Sequence, residues 1–144
     1  MIEAYKKFWI NYFNFKGRSS RSDYWWVVLV NTIIVLIISL FTFINSSVVQ
    51  TIIQTIATIF SIAIFIPEIS ISVRRLHDIN KSGWYYLIGL VPSFALSICE
   101  SLLPEKNPVL IVITLVALAT TIFMIMLYCM PSVDKKNKYE KLKK

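Results

Sequence analysis

Apolar residues in this chain gather into four long blocks separated by short polar interruptions, over residues 24–45, 48–73, 84–103 and 108–130. Each block is close to or above the ~20 residues that a helix needs to cross hydrocarbon. Glu68 is the single ionised side chain between residues 24 and 73, and Glu100 the single one between 84 and 103. The turn at Asn45-Ser46-Ser47 is so short that the helices on either side must be antiparallel neighbours. Pro104 and Pro108 bracket the next turn on that side, where proline can stop one helix and start another. The pattern predicts an all-α integral membrane protein: a four-transmembrane-helix bundle over residues 17–131, with an arm at 1–16 and a basic tail at 132–144.

In the arm, EAYKKFWINYFNF places Tyr5, Phe8, Trp9, Tyr12 and Phe13 at i, i+3, i+4, i+7 and i+8, which is one face of a helix. Lys6, Lys7, Asn11 and Asn14 fall mostly elsewhere. An N-terminal amphipathic interfacial helix is expected, lying in the inner headgroup region. The same face could instead grip a partner protein. Gly17 supplies a joint into Arg18.

Charge sets the expected direction of threading. Lys6, Lys7, Lys16, Arg18 and Arg21 precede the first block, Arg74, Arg75 and Lys81 separate the second and third, and six lysines from Lys135 to Lys144 end the chain. Lys106 alone falls on the other side. The positive-inside rule then puts both termini in the cytoplasm. Two similar phrases, RSDYWW at 21–26 and KSGWYY at 81–86, stand at the cytoplasmic start of the first and third blocks. Their aromatics, Tyr24, Trp25, Trp26, Trp84, Tyr85 and Tyr86, are read as an interfacial belt. Ser22 and Ser82 are placed to cap the first amides, and Ser20 with Asp23 fits the S-x-x-D capping pattern. The echo admits either duplication or convergent interface chemistry.

Composition agrees: 56% hydrophobic against 16% charged, with a mean hydropathy of +0.65, where soluble domains have ~25% charged residues. The opening residues lack the short apolar core of a cleavable signal peptide. Positive-inside charge accounts for a pI near 9.5, so no nucleic acid is expected as a partner. The expected partners are the lipid bilayer and its anionic phospholipid headgroups, with a membrane protein or a second copy also open. Cys99 and Cys129 fall near opposite faces and should not pair. No cofactor or metal is expected, and His77 is the chain's one histidine.

Polar residues inside the blocks carry the remaining chemistry. Thr51, Gln54, Thr58, Ser61, Glu68 and Ser72 recur along one stripe of the second block. Gly89, Ser93, Ser97 and Ser101 recur every four residues in the third. Both stripes are expected to pack helices together. Glu68 is the costliest group, and follows Pro67, which frees a carbonyl one turn earlier. It could meet Arg18, Arg21, Arg74, Arg75 or Asn31, as an anchor or as a proton or cation site. Glu100 lies near the outer end of its block.

After Val73 the loop SVRRLHDINKSGW sets Arg74, Arg75, His77 and Asp78 at the membrane–water boundary. Arginine suits bidentate pairing with carboxylate or phosphate, so this loop could bind headgroups or tie itself to Arg18, Arg21 and Asp23. The stretches FNFKGRSSRSDYWW and PEISISVRRLHDINKSGWYYLIGLVP resemble the YhaH-type family of small bacterial inner-membrane proteins, a domain of unknown function (DUF805). The resemblance implies a few transmembrane helices in a bacterial inner membrane, and no reaction, substrate or cofactor. Asn137 and Tyr139 match an Asn-x-Tyr-Gly ending of that family, but Glu140 stands where its glycine would, which puts the role of the tail in doubt. The expected function is a non-enzymatic, interaction or lipid-associated membrane protein with a cytoplasmic polar platform. The alternatives are a small oligomeric transporter or channel using Glu68 and, third, a lipid-modifying enzyme using His77 and Asp78.

Overall fold

The computed structural model describes residues 1–44, 46–104, 107–133 and 137–139, and it is helical, with no strand among them. Asn45, Lys106 and, of the six tail lysines, all but Lys138 lie outside the described residues. Helix α1 spans Ile2–Ile10, α2 spans Arg21–Leu40 and runs on as a 3-10 turn to Phe43, and α3 spans Ser47–Asp78. A 3-10 turn at Gly83–Tyr85 leads into α4, Tyr86–Leu102, and α5 spans Pro108–Cys129. Four segments, Arg21–Phe43, Ser47–Asp78, Gly83–Leu102 and Pro108–Cys129, are long and apolar enough to cross a membrane.

The expected loop after Val73 is corrected. Residues 74–78 continue α3, because no glycine or proline interrupts them and Leu76 is buried in the core. The helix stops one turn later, where Asn80 takes a left-handed backbone at φ 59°. The Asn80 amide donates to His77 O at 3.1 Å and the Lys81 amide to Leu76 O at 2.9 Å. That is a Schellman closure with asparagine in the left-handed position. At 32 residues, α3 is about 48 Å long, well beyond a ~30 Å hydrocarbon core.

Buried side chains concentrate at this charged end, where Phe8, Val27, Ile71, Leu76, Leu127 and Tyr128 pack together. No described side chain between residues 32 and 63, or between 80 and 116, is buried. The inner end of the first polar stripe falls as expected, with Ser72 buried and Glu68 hydrogen-bonded across to Asn31 of α2. Its outer part and the serines of the second stripe do not. Thr51, Gln54, Thr58 and Ser61 are exposed, and the Thr51 and Thr58 hydroxyls donate to Ser47 O and Gln54 O of their own helix. Ser93, Ser97 and Ser101 likewise donate within α4. A hydroxyl satisfied one turn back has no need of the bundle interior. Gly89 does serve a close approach: a Cβ there would stand 3.0 Å from Met124 Cγ of α5.

The arm is docked on the bundle. Phe8 is 0% exposed and Ala4 is buried beside it, so the inward face is centred on Ala4 and Phe8. Trp9 and Phe13 are exposed, and Tyr12 and Phe13 come after the helix has ended. Tyr12 fills a specific need: its hydroxyl donates to Ala63 O at 2.8 Å. Ala63 is four residues before Pro67, so this is the carbonyl that the proline ring leaves without its amide. The Ser70 hydroxyl lies 2.9 Å from both Asn11 O and Asn14 O, holding the end of the arm on α3.

Candidate functional site

Because residues 74–78 are helical, Arg75 and Asp78 lie on one face of α3, three residues apart. Asp78 is the hub of the charged end. Its Oδ1 accepts from Arg18 Nε at 3.0 Å and Nη2 at 2.7 Å, a bidentate approach. Its Oδ2 accepts from Arg75 Nη1 at 2.5 Å and from the Ser132 hydroxyl. Arg75 is 0% exposed. Its remaining donors reach Tyr128 O, at 3.2 Å from both Nε and Nη2, and Met130 O. Those carbonyls belong to the end of α5, where intrahelical donors run out and the macrodipole is negative. One guanidinium thus ties α3 to the end of α5 and neutralises Asp78.

The tail completes this cluster. Asn137 is buried, and its amide nitrogen donates to His77 O at 3.0 Å, Asp78 O at 3.2 Å and Val133 O at 2.8 Å. Tyr139 stacks on His77 with ring centroids 3.9 Å apart. The Val133 amide donates to Asp78 O and the Lys138 amide to Asn80 Oδ1. The signal was the Asn-x-Tyr spacing at 137–139, set aside because of Glu140. Ser132 had no signal at all.

Other candidates are placed elsewhere. Asp23 meets Lys7 at 3.7 Å and faces Arg74, not Arg75. Arg21 is exposed beyond the hub. Glu68 meets none of the four candidate arginines; its Oε1 accepts from Asn31 Nδ2 at 3.1 Å, and Asn31 Oδ1 accepts from the Tyr5 hydroxyl at 3.2 Å. Glu100 is exposed on α4. The two aromatic phrases are not structural equivalents. Ser20, not Ser22, accepts the Asp23 amide at 3.1 Å as the cap of α2, whereas Ser82 accepts the Trp84 amide in the second phrase. Trp84 is 77% exposed while its counterpart Tyr24 is buried. Trp26 is also exposed, Trp25 is partly buried, Tyr85 lies under the Lys81 ammonium at 5.6 Å, and Tyr86 turns inward.

Two cavities flank α3. One, of 430 Å³, opens between the arm and α3 and is lined by Lys7, Lys16, Arg18 and Arg74 against the single carboxylate Asp23, with Asn11 and Asn14 beside them. Arg74 is 5% exposed, its Nε donates to Ser70 O at 3.3 Å, and among the described residues its Nη2 has no hydrogen-bond partner. The other, of 230 Å³, lies toward the membrane interior around Glu68, Asn31 and three tyrosines. No group of three His, Cys, Asp or Glu side chains converges among the described residues.

Comparison with known proteins gives the chain its kin. The model of the family "Protein of unknown function (DUF805)" matches residues 12–141. Inner membrane protein YhaH of Escherichia coli K12 is 32% identical over 111 residues, covering 74% of this chain and 92% of YhaH. Inner membrane protein YhaI of the same organism is 34% identical over 86 residues, covering 57% of this chain and 66% of YhaI. No solved structure matches. With four membrane-length helices and these relatives, the chain belongs to the DUF805 family and is a multi-pass inner-membrane protein.

Proposed function

We propose that this protein acts without catalysis, by recognising an anionic phospholipid headgroup at the cytoplasmic leaflet with its basic cavity. The observation that carries the reading is Arg74: a buried guanidinium with an unpartnered Nη2, in a cavity holding four cationic groups against one carboxylate. A buried donor without an acceptor is costly, and a phosphate oxygen is the acceptor that guanidinium geometry fits best. The engagement of the His77–Asp78 pair supports a non-enzymatic reading. Asp78 is held by two arginines, while the His77 ring stacks on Tyr139 and its Nδ1 lies 3.3 Å from Gly17 O.

Native mass spectrometry of the protein released from mixed phosphatidylglycerol and phosphatidylethanolamine bilayers is expected to retain phosphatidylglycerol preferentially. Arg74→Gln should reduce that preference about fivefold, as should Lys16→Gln, since a cation near an anionic surface contributes ~1 kcal/mol. Lys16 is exposed, so its variant tests the cavity with little risk to folding. No retention of phosphatidylglycerol by the wild type, or retention undiminished in both Arg74→Gln and Lys16→Gln, would overturn the reading.

The cytoplasmic assignment of this end follows from the basic residues of the loops and tail. In a chain carrying Cys99→Ala and Cys129→Ala, Ser47→Cys and Asn107→Cys should react with an impermeant thiol reagent on intact cells, and Lys138→Cys should not. Labelling only at position 138 would reverse the orientation.

A further inference from the structure

Glu68 poses a separate problem at the second cavity. The lining of this 230 Å³ chamber includes Glu68, Asn31 and Ser72 with Tyr24, Tyr86 and Tyr128. It contains no cationic side chain. Among the described residues Glu68 forms no ion pair, since Arg18 and Arg75 are committed to Asp78 and Arg74 lines the other cavity. Among the described residues the carboxylate accepts one hydrogen bond, from the Asn31 amide to Oε1. Asn31 is buried and steadied from behind by Tyr5 of the arm. The carboxylate is thereby held in place.

We propose that this chamber is a binding site for a small monovalent ammonium cation, with Glu68 as its counter-ion. A carboxylate within a membrane span is costly unless a positive charge neutralises it. The chain supplies no cation here, so the charge is met either by a proton on the carboxyl or by a cation that enters the chamber. Three tyrosines and a serine line the chamber with aromatic rings and neutral oxygens, groups that suit an alkylammonium ion. At ~30 Å³ per water the chamber holds about seven waters, room for a methylammonium or ethanolamine group together with several waters. That ammonium could arrive free or as the headgroup of phosphatidylethanolamine.

The test is thermal unfolding of the full chain in a neutral detergent during titration with methylammonium chloride, against sodium chloride at equal ionic strength. At a hundredfold excess over Kd the melting temperature should rise saturably by about 5 to 10 °C. Sodium chloride should not reproduce it. Glu68→Gln keeps the size and the Asn31 hydrogen bond but should lose the shift. Should that variant fail to fold, Val28→Phe fills the chamber from a half-buried lining position with the carboxylate intact, and it should lose the shift too. In phosphatidylethanolamine nanodiscs, loss of the methylammonium response assigns the site to the lipid headgroup, and persistence assigns it to a free ammonium ion. Either outcome supports the site. No saturable shift in wild type, or an undiminished one in Glu68→Gln or Val28→Phe, would overturn it.

Discussion

Arg75→Leu is expected to destabilise the protein by about 3–5 kcal/mol, the usual cost of removing one partner from a buried ion pair. The side chain is wholly buried and holds Asp78 together with Tyr128 O and Met130 O. Its loss strips the α5 terminus of its donors and leaves Asp78 to Arg18 and Ser132. Arg75→Lys should recover only part of the loss, because a single ammonium cannot match the planar fork that reaches three acceptors on two helices. Denaturant titration in mixed micelles would measure both variants. A cycle pairing Arg75→Leu with Asp78→Asn should show a coupling of about 0.5–3 kcal/mol. The same cycle with Asp23→Asn should be additive, because Asp23 pairs with Lys7. Coupling to Asp23 in place of Asp78 would refute the arrangement.

Asn137 should produce the second large effect, with an unusual order of variants. Its amide reaches three carbonyls, of which His77 O and Asp78 O belong to the end of α3. Asn137→Ala leaves these buried acceptors short of a donor, at a cost of about 1–3 kcal/mol. Asn137→Asp, close in shape, should cost more than alanine. It replaces the amide donor with a carboxylate oxygen against three carbonyl oxygens, at the negative end of the α3 dipole. Asn137→Ala should also release the stacking of Tyr139 on His77, because the Tyr139 amide donates to Asn137 Oδ1 at 2.8 Å, an acceptor that the aspartate keeps. Thermal melts of the two variants decide the matter, and an aspartate variant as stable as the wild type would contradict the geometry.

Both effects arise where distant parts of the chain meet, which is also where the sequence was hardest to read. The possible partners of Asp78 and Glu68 included several arginines at similar depth, and spacing alone could not choose among them. The choice follows from α3 remaining helical past Val73, which turns Arg75 and Asp78 to one face and leaves Arg74 on another. The tail was misjudged for a related reason. Glu140, which stands where the Asn-x-Tyr-Gly ending has glycine and lies outside the described residues, puts the tail in doubt, but the donors and the ring that hold the tail are supplied by Asn137 and Tyr139. The polar stripes were read as packing seams because their spacing is helical, yet spacing does not reveal that a hydroxyl has already been satisfied by its own helix.

What the sequence determined by itself is the set of membrane-length helices, their approximate ends, and the need of Pro67 for an outside donor. These depend on local properties: apolar runs long enough to cross hydrocarbon, and a backbone that must satisfy its own amides there. What only the tertiary structure decided is which donor answers each need. Tyr12 reaches Ala63 O, Arg75 closes the end of α5, and Asn31 rather than an arginine meets Glu68. Hydrogen bonds and ion pairs act over a few ångströms and in narrow directions, so partners 37 to 53 residues apart in the chain are chosen by how the helices pack.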